Sequence, residues 1–133
     1  MTTQDTATLA QPLTLLSEDE QILRDSVREF ANAQVRPLVR EMDEQAKIPK
    51  DLVKQLFDLG VMGIEIPETY GGSGGTFFHS VLAVEELSRV DPSIGVLVDV
   101  QNTLVINAVA RWAAPAIAAE WLPRLAGGTL GAY

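Results

Sequence analysis

The sequence predicts an all-α protein, an antiparallel bundle of about five helices that ends in a short strand. Apolar residues recur at helical spacing along most of the chain from residue 17 onward. Clusters of glycine and proline separate these stretches at the intervals expected for helices joined by short connections. A length of 133 residues with 47% hydrophobic residues is enough for one domain with its own core.

Residues 1–16 are predicted to form a disordered tail, and residues 17–133 to form one helical domain. The tail lacks the basic start and continuous apolar stretch of a signal peptide, and it has no arginine such as a mitochondrial transit peptide carries. A net charge of −8 without a basic stripe argues against a nucleic-acid partner. The absence of cysteine excludes disulfides, thiol catalysis and thiolate metal ligands. We therefore expect a soluble, cytoplasmic protein without a metal site.

The first helix is predicted to begin after Ser17 and to reach about Asp43. Ser17 and Glu20 have the spacing of a capping box, in which each side chain bonds the backbone N–H of the other residue. Pro37 lies inside this helix and is expected to kink it rather than end it, because the apolar pattern resumes directly afterwards. The apolar positions at helical spacing are Ile22, Leu23, Val27, Phe30, Ala31, Val35 and Leu38.

Two shorter helices are predicted next. The second begins at Pro49, since proline favours the first helical position, and ends at Gly60 in a left-handed conformation. Pro67 disfavours helical geometry in the preceding residue, so residues 61–66 are expected to be extended. Thr76 is placed to cap the third helix, whose apolar positions run to Val90.

The fourth helix is predicted from Ile94 to about Ala113, after an Asp-Pro-Ser turn, and is judged too polar for an ordinary membrane span. Its polar residues are spaced near i, i+3, i+4 and i+8, so they form one stripe on an otherwise apolar helix. Buried polar groups need partners or a wet cleft. Two interpretations remain open, a stripe that lines a cleft and a stripe that faces solvent. The stripe consists of Asp99, Asn102, Thr103 and Asn107.

A fifth helix is predicted from about Pro115 to Leu125, before a pair of glycines. The run Ala113–Ala119 is almost wholly apolar and stands between Trp112 and Trp121, which suggests a contact surface. Residues 129–133 have the composition of a short strand without a partner in this chain.

The segment Ile66–Gly75 is rich in glycine and interrupts the helical pattern. It lacks the Lys-Ser/Thr of a P-loop, and its glycine spacing does not match the dinucleotide-binding fingerprint. A chain reversal with glycines at positive φ is therefore favoured over phosphate binding.

The sequence offers no catalytic residue. His79 is the only imidazole, no nucleophile or carboxylate is placed near it by spacing, and a surface position is predicted for it. Glu85 and Glu86 project about 100° apart on a helix and cannot share one site. One of the two is expected to be exposed and the other to make a local hydrogen bond.

Two motifs in their order resemble the amino-terminal helical domain of the acyl-CoA dehydrogenases. They are the connection Ile66-Pro67-Glu68-Thr69-Tyr70-Gly71-Gly72 and the later run Gln101-Asn102-Thr103-Leu104. The likeness runs from about Leu16 to Tyr133 and looks strongest to the short/branched-chain members. It implies an FAD-dependent enzyme that oxidises a short or branched-chain acyl-CoA to the 2,3-enoyl-CoA. An electron-transfer flavoprotein is the implied acceptor, and a homo-oligomer the implied assembly.

The same resemblance assigns positions in this chain. It implies Val100 and Leu104 as substrate-binding wall, because the corresponding helix lines the acyl-chain pocket in the family. Tyr133 matches a position that contacts FAD, and the flavin-binding strands and catalytic glutamate are expected beyond it, so this fragment alone would be inactive. Gly95 stands where relatives acting on dicarboxylic acyl groups carry arginine, which disfavours a glutaryl-type substrate. The alternative is a free-standing helical binding or interaction module that retains the fold without catalysis.

Overall fold

The structure is a computed structural model and describes residues 11–132. Within this part of the chain every regular element is helical, which confirms the all-α prediction. A single 3-10 turn lies between the second and third helices, in the glycine-rich connection. The five continuous helices are α1 (residues 18–45), α2 (Lys50–Leu59), α3 (Phe77–Ser88), α4 (Pro92–Trp112) and α5 (Pro115–Gly127).

The helix ends form where the capping residues predict them. Ser17 and Glu20 make the predicted capping box, with the Ser17 N–H donating to Glu20 Oε2 over 2.7 Å. Gly60 ends α2 in the left-handed region with φ 88°. Asp91 caps α4, because its Oδ1 accepts the Ser93 N–H over 2.8 Å.

Pro37 distorts α1 without ending it, as predicted. Regular helix gives way to a π-helical segment at Ala31–Val35 and to a 3-10 turn at Arg36–Leu38, then resumes. Proline cannot donate to the helical ladder, and these changes of pitch accommodate the missing bond. The helix reaches Gln45, two residues beyond the predicted end at Asp43.

The apolar side chains form two core clusters, and α4 contributes to both. The larger cluster lies between α1, α2, α3 and the first half of α4. The smaller one joins the second half of α4 to α5 and to the glycine-rich connection, and consists of Ile66, Ile106, Leu122 and Leu125. The fourth helix is thus the central element on which both halves of the domain pack.

A partly buried ion pair joins α1 to α3. The Arg28 guanidinium donates to both oxygens of Glu86 over 2.9 Å each, and the Glu86 side chain is 3% exposed. These hydrogen bonds hold the pKa of Glu86 below its ordinary value, so the carboxylate stays ionised. Glu85 is exposed as predicted, but the local hydrogen bond expected for its neighbour is wrong. The partner lies 58 residues away, a distance that helical spacing does not reveal.

By length and composition alone, α4 is apolar enough to cross a membrane, with a mean hydropathy of 1.4. The expectation that its polar residues exclude a span on composition is therefore wrong. Core helices of soluble bundles meet the same criterion, and both core clusters here pack on this helix. In this domain α4 is a helix of the bundle.

The predicted terminal strand is not formed at residues 129–132. A strand needs an extended neighbour for its backbone groups, and the described residues provide none. The Thr129 N–H instead completes the end of α5 by donating to the Arg124 carbonyl over 3.0 Å. Tyr133 and residues 1–10 of the predicted tail lie outside the described residues.

Candidate functional site

The middle of α4 departs from regular helical pitch. Val100–Ile106 is π-helical and lies between the α-helical segments Pro92–Asp99 and Asn107–Trp112. Such turns are rare and recur at functional sites, where the wider pitch changes the direction of side chains. Apolar spacing predicts the helix here but not its pitch, because the same residues suit both geometries.

Asn102 ties this π-helical stretch to the connection between α2 and α3. The side chain is fully buried, and its Nδ2 donates to the Val61 carbonyl over 2.7 Å and to the Val98 carbonyl over 2.9 Å. Its Oδ1 accepts the Ile64 N–H over 2.9 Å. One side-chain amide therefore satisfies backbone groups of a buried segment that has no regular structure.

The other members of the polar stripe are half-buried and border open space. Thr103 Oγ1 lies 2.8 Å from Asp99 Oδ1 and 2.9 Å from the Asp99 carbonyl. Asn107 Nδ2 lies 3.5 Å from Glu65 Oε2. A half-buried position beside open space is compatible with both interpretations, so for these three residues they stay open, whereas the fourth member, Asn102, bonds inside the bundle.

An open cavity of about 520 Å³ adjoins the C-terminal half of the π-helical stretch. A second cavity of about 250 Å³ lies between α3 and α4 and shares Phe77 and Thr103 with the first. Phe77, Leu104 and Trp112 give the larger cavity an apolar wall, while Arg111 provides a charged group at its edge.

Leu104 lines this larger cavity and is 40% exposed. Val100 is half-buried one turn earlier on the same π-helical stretch, and it is not among the residues that line either of these two cavities. Tyr133 lies outside the described residues. The substrate-binding and flavin-binding roles of these three residues stay predictions.

The glycine-rich connection is a chain reversal, as its composition predicts. Gly71 and Gly74 have φ values of 83° and 64°. The N–H groups of Ser73, Gly74 and Gly75 donate to carbonyls of residues 63–66 over 2.7 to 2.9 Å. Because the loop's own backbone accepts these donors, the loop does not present them to a phosphate.

His79 caps α3. Its Nδ1 accepts the Thr76 N–H over 3.1 Å, and its own N–H donates to Thr76 Oγ1 over 3.4 Å. The side chain is half-buried rather than freely exposed, so the predicted surface position is only partly right. The imidazole completes a capping box in the position that Glu or Gln usually occupies.

The family model described as "Acyl-CoA dehydrogenase, N-terminal domain" matches residues 17–129. The chain belongs to the acyl-CoA dehydrogenase family. The match confirms the resemblance carried by the glycine-rich connection and by the Gln-Asn-Thr-Leu run of α4.

Relatives and solved structures agree with this membership of the acyl-CoA dehydrogenases. A probable short/branched chain specific acyl-CoA dehydrogenase of Dictyostelium discoideum is 48% identical over 123 residues, 92% of this chain and 30% of the relative. A solved structure described as the electron transferring flavoprotein of Acidaminococcus fermentans superposes with a TM-score of 0.81 at 32% identity. A glutaryl-CoA dehydrogenase from Mycobacterium smegmatis in complex with FADH2 superposes with a TM-score of 0.78 at 34% identity. Each superposition covers 86% of this chain and 30% of the other chain, so the chain spans about 30% of the length of these relatives.

Gly95 of this acyl-CoA dehydrogenase domain stands where α4 passes close to α3. A Cβ at this position would lie 2.0 Å from Ser88 Oγ and 3.2 Å from Ser88 Cβ. Packing of α4 against Ser88 therefore favours a small residue at this position without reference to substrate. The expectation against a glutaryl-type substrate therefore stays a prediction.

The sequence did not single out Gln101 as a functional residue. Gln101 belongs to the Gln-Asn-Thr-Leu run, which carries the family resemblance but assigns Gln101 no role. A buried glutamine on a central helix must find partners for its amide. The structure shows that those partners are backbone groups at the C-terminal end of the domain.

Proposed function

We propose that this chain is the amino-terminal helical domain of an FAD-dependent dehydrogenase that oxidises a short or branched-chain acyl-CoA to the 2,3-enoyl-CoA. The observation that carries the proposal is the match of residues 17–129 to the N-terminal domain of the acyl-CoA dehydrogenases. The open cavity beside the π-helical stretch, with Leu104 and Phe77 in its wall, supports the placing of the acyl wall. The substrate class is supported by the Dictyostelium discoideum relative, which is described as short/branched chain specific. In this proposal Val100 completes the acyl wall when the rest of the enzyme is present.

FAD, when bound, supplies the two-electron acceptor of the reaction. The one position that the resemblance assigns to FAD is Tyr133, which lies outside residues 11–132. The structure solved with FADH2 supports the choice of flavin. The structure described as an electron transferring flavoprotein supports such a protein as acceptor.

The proposal extends to the assembly of the complete enzyme. We propose that the helices run antiparallel, and that residues 129–133 form a strand once an extended segment is available to pair with them. The complete enzyme is proposed to be a cytoplasmic homo-oligomer, and the 133-residue chain alone to be inactive.

Enlarging the acyl wall tests the assignment of Val100 and Leu104. In the protein as its gene encodes it, Val100→Phe and Leu104→Phe are expected to shorten the accepted acyl chain, because added volume in a packed pocket costs about 1 to 3 kcal/mol. For octanoyl-CoA the KM should rise by roughly 5- to 150-fold, while the change for butyryl-CoA is smaller. The measurement is a dye-coupled assay across butyryl-, 2-methylbutyryl- and octanoyl-CoA.

Val96→Phe is the matched control, because Val96 lies on the same helix and is 58% exposed. It should leave the chain-length profile unchanged. A profile that shifts equally in the control, or in none of the three variants, would remove both residues from the acyl wall.

A further inference from the structure

The Gln101 side chain holds the backbone of the segment that follows α5. It is 1% exposed, and its Nε2 donates to the Leu125 carbonyl over 3.1 Å and to the Thr129 carbonyl over 3.0 Å. Its Oε1 accepts the Gly131 N–H over 2.8 Å. All three bonds go to main-chain groups, so they fix the path of the chain whatever the side chains of that segment are.

The same segment lies directly on α4. A Cβ added to Gly131 would lie 2.4 Å from Val105 Cγ1, so the backbone approaches the helix more closely than any other residue would allow. Thr129 and Ala132 are exposed, and residues 129–132 are not helical. Gln101 and this close approach therefore secure a segment that otherwise has little regular structure.

Gln101 is the second residue of the π-helical stretch, directly after Val100, and Leu104 follows three residues later. The proposed acyl wall and the anchor of residues 129–131 thus belong to one rigid stretch of α4. A displacement of the anchored segment would change its distance from the acyl wall without disturbing the helix itself.

We propose that Gln101 is a positioning residue that fixes residues 129–131 against α4 and so sets where the following chain meets the acyl wall. The proposal rests on the proposed function for its catalytic consequence. The anchoring of residues 129–131 is independent of the proposed function, because it concerns only hydrogen bonds within this domain.

The anchoring is tested by hydrogen–deuterium exchange of the protein as its gene encodes it. Gln101→Met keeps the length of the side chain but removes all three hydrogen bonds. Exchange in the peptide of residues 126–132 should accelerate by about tenfold or more, because the Gly131 N–H and two backbone carbonyls lose their partner. Exchange in residues 92–99 should stay within about twofold, because the helix is retained. Gln55→Met, at an exposed position of α2, is the matched control and should change neither peptide.

The positioning role is tested by steady-state kinetics of the same variants. In Gln101→Met we expect kcat to fall by about 10- to 100-fold, because small displacements of reacting groups have effects of that order. The KM for butyryl-CoA should change by less than about twofold, since the acyl wall stays on an intact helix. If the substitution only lowered the stability of the protein, kcat would not fall selectively while KM stayed nearly constant.

Four results would count against the proposal. Unchanged exchange at residues 126–132 would show that Gln101 does not hold the segment. Acceleration spread equally over all helices, or equal changes in kcat and KM, would leave only a general contribution to folding. A wild-type protein that oxidises no acyl-CoA would overturn the proposed function and the catalytic consequence with it, while the exchange result would still decide the anchoring.

Discussion

Replacing Asn102 with leucine is expected to lower the free energy of unfolding by about 2 to 6 kcal/mol. The leucine leaves the Ile64 N–H and the Val61 carbonyl without the partners they have in the wild type. Each buried backbone group without a partner costs about 1 to 3 kcal/mol. Because both groups belong to the connection between α2 and α3, the loss should also loosen the start of the glycine-rich segment.

Asn107→Leu is the matched control on the same helix. Asn107 is half-buried, and its contact with Glu65 is long at 3.5 Å, so the same substitution should cost less than about 1 kcal/mol. Urea denaturation of the two variants and the wild type measures the difference. Equal losses in the two variants would show that Asn102 is not the principal link between α4 and residues 61–66.

Replacing Gly72 with alanine is expected to cost about 3 kcal/mol or more. The added Cβ would lie 2.1 Å from the Ile66 carbonyl oxygen and 2.4 Å from Ile66 Cβ. A backbone oxygen cannot rotate away as the end of a side chain can, so the connection itself must move. That movement would displace Ile66 from the smaller core cluster.

Two other glycines allow the cost of a steric clash to be compared with the cost of a left-handed backbone conformation. Gly71 has φ 83° and no atom within 4 Å of an added Cβ, so Gly71→Ala should cost only the left-handed strain of about 1 to 2 kcal/mol. Gly127 has neither constraint, and Gly127→Ala should be neutral or stabilise by up to about 1 kcal/mol. Thermal unfolding should therefore rank the losses as Gly72, then Gly71, then Gly127. A larger loss at Gly71 than at Gly72 would contradict the close approach.

Much of this fold follows from local signals in the sequence. Ser17, Thr76 and Asp91 begin helices because their side chains accept backbone N–H groups, and Gly60 ends one because glycine tolerates positive φ. Such signals act within a few residues, so composition and spacing are enough to recognise them. The boundaries of all five helices could be predicted to within a few residues for this reason.

The features that the sequence did not reveal depend on contacts between distant segments. The bond of Glu86 to Arg28 spans 58 residues, and the bond of Gln101 to Gly131 spans 30. The π-helical pitch of Val100–Ile106 has no local signature, because the apolar pattern is compatible with either pitch. Composition predicts a terminal strand without a partner, and at residues 129–132 no strand forms because the described residues offer no extended neighbour.

The candidate site was predicted from resemblance more than from chemistry. Leu104 lies on a cavity, which its aliphatic character alone would not have indicated. Val100 lines neither of the two cavities beside α4, so its place in the acyl wall stays a prediction. The polar stripe, derived from helical spacing, did not separate Asn102, which bonds inside the bundle, from the three residues that border open space.

The most direct test of the assignment compares flavin absorbance and acyl-CoA-dependent dye reduction in two purified proteins. One is the 133-residue chain, and the other is the protein as its gene encodes it, with any sequence that follows Tyr133. We expect the longer protein to be yellow and to reduce the dye with butyryl- or 2-methylbutyryl-CoA, and the 133-residue chain to be colourless and inactive. A longer protein without flavin or turnover, or a gene product that ends at Tyr133 and only binds a partner, would contradict the assignment and favour a free-standing helical module.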